Sequence, residues 1–117
     1  MKTHERGRRG EEIARAWLEG RGFKIVCTNF HCRHGELDIV ARDRESLVFV
    51  EVKCRRNRQA VVQAIGPKKV RNLKRSALWF LQKQRWTDTD YRFMTLYVIM
   101  PFDGSGPVAI DALEEPF

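Results

Sequence analysis

A chain of 117 residues has the length of one domain, and its 43% hydrophobic and 10% aromatic content supplies one modest core. The longest apolar runs, Leu47–Val50 and Leu96–Met100, fall far short of the roughly 20 residues a bilayer span needs, and no apolar signal segment follows the basic start Met1–Gly10. Three cysteines at irregular spacing (Cys27, Cys32, Cys54) argue against a disulfide scaffold, so a cytoplasmic domain with reduced thiols and no membrane partner is expected.

The distribution of charge says more than its sum. The net charge is +7, from 22 Lys and Arg against 15 acids. Between Val52 and Thr87 there are eleven basic residues and no Asp or Glu. A solvated helix face mixes signs for i,i+4 pairing, and this segment does not. A polyanionic partner, nucleic acid and DNA in particular, accounts for the segregation better.

In chain order, residues 1–6 read as a loose tail of a single domain spanning 1–117. Ile13, Ala14, Trp17 and Leu18 recur at helical spacing from Arg8 to Glu19, where Gly20 and Gly22 supply a stop. Phe23–Cys27 reads as a strand and Asn29–His34 as a polar loop. Glu36–Arg42 and Leu47–Cys54 form an antiparallel hairpin about the Asp43–Ser46 turn. Gln59–Pro67 fits either a short helix or a packed loop. Lys68–Lys83 is an amphipathic helix with Val70, Leu73, Ala77, Leu78, Phe80 and Leu81 on its apolar face. Tyr91–Met100 is a further strand, and Val108–Ile110 a short edge strand after the turn at 103–107. Trp17, Trp79, Phe80 and Phe49 fall on apolar stripes and are expected in the core. The order α-β-β-β-α-β(-β) describes an α/β domain, a mixed sheet flanked by helices.

One group of residues stands out as chemistry. Leu47–Val52 is apolar on both faces until Glu51, and Glu51 and Lys53, two apart, share a face. Asp38 lies in the neighbouring strand between Leu37 and Ile39, within reach of Glu51 across the ladder. Two carboxylates that close repel unless a cation joins them. Mg²⁺ (or Mn²⁺) suits such oxygen donors, with the backbone carbonyl of Val52 as a further ligand. Lys53 is then placed to stabilise charge on a phosphoryl oxygen. An inter-strand salt bridge of Asp38 or Glu51 with Lys53, serving packing alone, fits the spacing equally well. Cys27, His31, Cys32 and His34 have side chains that suit zinc, but their compressed spacing does not match a zinc site.

Asp38 followed by Glu51-Val-Lys53 after an apolar strand resembles the PD-(D/E)xK nuclease superfamily, with its restriction-endonuclease-like αβββαβ core; Leu37 stands where the superfamily's name has proline. Gly10-Glu11, Gly35–Ala41 and Leu47–Lys53 more closely resemble the small bacterial YraN-type family, similar in fold and motif order to archaeal Holliday-junction resolvases. The resemblance implies a Mg²⁺-dependent endodeoxyribonuclease, with branched DNA among its substrates. Asp38 and Glu51 would be metal ligands, Lys53 the catalytic lysine and Glu11 the first-helix carboxylate, although Glu12 is adjacent and sequence barely separates the two. Glu36 shares a strand face with Asp38 and would either support it or stand as an exposed acid at the strand end, two readings the sequence leaves open. Arg55, Arg56 and Arg58 emerge beside the site, and Lys69, Arg71, Lys74 and Arg75 extend a phosphate-tracking surface. One site per chain means that symmetric cutting of two strands requires a homodimer. The rival classes are a non-catalytic nucleic-acid-binding module that keeps this fold, and a metal-free scaffold whose acids form structural ion pairs.

Overall fold

The computed structural model describes residues 3–44, 46–57, 65–101 and 108–117. Helix α1 spans Thr3–Gly20, and strands β1 (Lys24–Cys32), β2 (Gly35–Asp43) and β3 (Ser46–Arg55) follow. Helix α2 spans Pro67–Gln84, and β4 (Tyr91–Ile99) and β5 (Ala109–Glu115) complete the chain. The five strands form one sheet in sequence order. All neighbours are antiparallel except β3 and β4, which run parallel, so the connection through α2 crosses over the sheet. This is the αβββαβ order with one added edge strand, a single α/β domain.

The two helices cover opposite faces. Ala14 and Leu18 of α1 pack with Ile39, Ala41, Val48, Val50 and Leu96 on one side. Leu73, Ala77, Phe80 and Leu81 of α2 pack with Val40, Leu47, Phe49 and Phe93 on the other. Phe80 meets Phe30 and Phe49 edge-on, at centroid separations of 5.2 and 6.0 Å. Because β3 and β4 are sandwiched between both helices, their sequences are apolar on both faces rather than alternating.

Local signals set the helix ends. The amide of Phe23 donates to the Leu18 carbonyl and that of Gly22 to Glu19, with Gly22 at φ 91°, a Schellman cap that closes α1. The same pattern closes α2 through Trp86 and Arg85, but there the left-handed position is held by an arginine, at φ 61°. Pro67 opens α2 at its first turn, where its missing N–H is harmless.

Several expected boundaries move. The tail expected over 1–6 is helical from Thr3, because Arg6 donates to the carbonyls of Met100 and Pro101 and ties this turn to the end of β4. Most of the polar loop expected at 29–34 is strand, since β1 continues to Cys32 against β2 despite Asn29 at φ 53°. The short strand expected at 108–110 runs to Glu115, held by pairing with β4 rather than by its own apolar content. The ambiguous stretch after Gln59 and the turn at 103–107 lie outside the described residues, apart from Ile65–Pro67. Two side chains expected on the apolar face of α2, Leu78 and Trp79, are exposed instead. Among the described residues no helix is long and apolar enough to cross a membrane.

Candidate metal centre and basic helix

The hairpin of β2 and β3 forks, and the fork holds the acids. Pairing runs from Asp43↔Ser46 to Ile39↔Val50 and stops there. Leu37 packs on the α2 side and Ile39 on the α1 side, so the alternation of β2 breaks at Asp38. Where the ladder ends, Asp38 Oδ2 accepts the Val52 amide at 2.8 Å, so a carboxylate satisfies that amide. Asp38 and Glu51 are each only 9% exposed.

Around the fork lies an open cleft lined by Glu11, Glu36, Asp38, Glu51, Val52 and Lys69, with Arg6, Gly7 and Cys54 at its α1 edge. Carboxylate oxygens of Glu11, Glu36 and Asp38 all lie within 4.8 Å of one another. Glu51 Oε1 is 3.3 Å from Lys69 Nζ. Glu36 Oε2 is 3.1 Å from His31 Nδ1. A side-chain hydrogen bond from Asn29 holds Glu11. Burial, reinforced by the charge of Glu51, pushes the Asp38 carboxyl up to about 7. Glu11 is also raised, again first by burial, with Glu36 and Glu51 adding to it and the Asn29 hydrogen bond opposing.

These donors fit a hard divalent cation. Oxygen-only carboxylates crowded at the end of a buried strand, one of them poised to hold a proton, are what a Mg²⁺ or Mn²⁺ ion would relieve. Asp38, Glu11 and Glu36 converge, and Glu51 lines the same cleft while paired with Lys69.

Of the residues singled out in the sequence, Glu11, Asp38, Glu51 and Val52 share the cleft, and Glu12 is exposed outside it. Val52 meets Asp38 through its amide. Lys53 keeps the strand parity of Glu51 but is not among the residues lining the cleft; Lys69, assigned by sequence to phosphate tracking, lines it. Among the described residues the ion pair of Glu51 is therefore with Lys69 and not with Lys53. Arg55 donates to the Cys54 carbonyl, and Arg56 is exposed just beyond β3. Arg71, Lys74 and Arg75 are exposed on α2, whereas Arg58 lies outside the described residues. Sequence reasoning missed Arg6 and Asn29 at the site. Arg6 was hidden in an apparent tail, and Asn29 in an apparent loop, where a left-handed φ suits Asn better than most residues.

Fold and cleft define a small mixed α/β protein with a carboxylate cluster at a strand fork. The model of the "Uncharacterised protein family UPF0102" matches residues 10–98. A UPF0102 protein of Neisseria meningitidis serogroup B is 36% identical over 107 residues, 90% of each chain. One of Syntrophus aciditrophicus is 40% identical over 84% of this chain and 79% of its own. One of Geobacter sulfurreducens is 46% identical over 74% and 70%. The chain belongs to UPF0102, the YraN-type family.

Proposed function

We propose that this protein is a metal-dependent endonuclease acting on DNA phosphodiesters, with Mg²⁺ or Mn²⁺ held by Asp38, Glu51 and Glu11. The observation that carries the reading is the buried Asp38 carboxyl at the fork, joined by Glu11 and Glu36 within 4.8 Å. A cation bound there supplies Lewis acidity for hydrolysis of the phosphodiester. Val52 fixes the orientation of Asp38 through its amide. Glu11, braced by Asn29 and within 4.8 Å of Asp38 and Glu36, would add the first-helix carboxylate to the ion's ligands. Lys69 brings positive charge to the same cleft, and Lys53 continues the strand towards Arg55 and Arg56. Arg71, Lys74 and Arg75 offer sequence-independent phosphate contacts, with Arg58 adding to them by its place in the chain. The similarity to junction resolvases favours branched DNA, and cutting both strands of a junction would need two copies of the chain.

Cleavage of branched, single-stranded and duplex DNA with Mg²⁺ or Mn²⁺ tests this. Asp38→Ala and Glu51→Ala should each lower the rate by roughly 100-fold or more, and a chelator should abolish it. Cleavage that survives both substitutions contradicts the reading. A second reading, a binding module that hydrolyses nothing, is favoured by the pairing of Glu51 with Lys69 and the absence of Lys53 from the cleft lining. It requires DNA affinity unaffected by chelator or by Asp38→Asn, with no cleavage.

A further inference from the structure

Helix α2 carries a large aromatic side chain that the core does not use. The helix buries Leu73, Ser76, Ala77, Phe80 and Leu81, while Trp79 stays 45% exposed. We propose that Trp79 is a stacking platform for unpaired bases of a nucleic-acid strand whose backbone follows α2 to the acidic cleft. This rests on the reading of the protein as one that acts on nucleic acid, and it specifies the form of that substrate.

The position of Trp79 on the helix carries the argument. Lys69, Asn72, Ser76, Trp79 and Lys83 are spaced three and four apart, so they form one stripe. Its first residue, Lys69, lines the acidic cleft. Its middle borders the β1–β2 hairpin, where Ser76 Oγ is 3.4 Å from Cys32 Sγ. Its last, Lys83, reaches over the Phe30 ring of β1 at 5.8 Å. Trp79 therefore sits at the open margin between α2 and the edge strand, in line with the cleft. Trp79 lies ten positions beyond Lys69 on the helix, about 15 Å. At ~3.4 Å per stacked nucleotide, that distance spans four or five nucleotides.

The chemistry around the ring selects the occupant. The helix has six basic residues and no acid, and Arg75 and Lys83 lie one turn either side of Trp79. An apolar protein surface docked there would have to desolvate those cations without partners. A polyanion bearing π-faces uses both, phosphates on the cations and a base on the indole. A duplex keeps its bases stacked inside, so the partner is a strand with unpaired bases, as at a junction, flap or overhang.

Fluorescence anisotropy on the full chain, in EDTA so that nothing is cleaved, tests the proposal with labelled oligothymidine and a blunt duplex. Trp79→Ala should weaken oligothymidine binding roughly 5- to 100-fold while duplex affinity shifts by less than about two-fold. Trp79→Phe should retain most of the affinity, and Leu78→Ala, at the equally exposed neighbour, should lose none. Unchanged oligothymidine binding, an equal loss on both ligands, or failure of the wild type to bind oligothymidine overturns it. So does sedimentation showing that Trp79→Ala turns a dimer into a monomer, since the ring would then cover a second copy. Binding in EDTA is independent of hydrolysis, so a failed cleavage assay with a positive result here removes the catalytic reading and leaves this one standing.

Discussion

Asp38 concentrates the electrostatic tension of the molecule in one side chain. Its carboxyl is buried beside Glu51, and one backbone amide does not offset that, so it holds its proton up to about pH 7. An unfolded Asp releases its proton near pH ~3.9. Between those values the folded state binds more protons than the unfolded one, and stability must fall as pH rises. Asp38→Asn should therefore raise the melting temperature of the metal-free protein at pH 8 by about 4 °C or more, and change it little at pH 4. A pH-independent difference between the two proteins would contradict this assignment. Asp38 and Glu51 were legible in the sequence because acids interrupt otherwise apolar strands. Lys69 was legible only as a member of a basic run, since nothing in one helical residue reveals which strand end it faces. The choice between Glu11 and Glu12 likewise depended on the rotation of α1 about its axis.

At the scale of elements, α1 approaches the sheet closely at Gly10. A Cβ added there would overlap Cys54 Sγ on β3, which itself bonds the Arg6 carbonyl. Gly10→Ala should destabilise by about 1–2 kcal/mol in chemical denaturation, the overlap outweighing the better helix propensity of Ala. Gly10→Ala with Cys54→Ala should recover most of that loss, and an additive double variant would show that the contact is not responsible. Glu11 is the next residue, so a displaced helix would also disturb the cleft. The helices and the β2–β3 hairpin could be read from periodicity and turn residues. The reach of β1 and β5 could not, because both are edge strands whose polar residues face water and whose extent is set by a neighbour's hydrogen bonds. Trp79 misled for a related reason. It falls next to the true apolar stripe, and periodicity alone does not say how wide a stripe the sheet covers.

The whole molecule joins two opposed charge patterns. A chain of net charge +7 gathers four carboxylates into one cleft and leaves the acid-free helix α2 alongside it. The parallel β3–β4 crossover makes this possible, because it lays α2 across the face opposite α1 while both helices still reach the fork. Cations draw a phosphate chain along α2, beside a cluster that repels it until a divalent ion is bound, so the metal should tighten engagement of the cleft without being needed for binding along α2. The central claim is that this cluster binds a divalent cation. Titrating the full chain with Mn²⁺ at pH 8, and following free Mn²⁺ by electron paramagnetic resonance, measures that directly. The wild type should take up one ion per chain and Asp38→Ala should lose it; no uptake by the wild type, or equal uptake by both, would contradict the account.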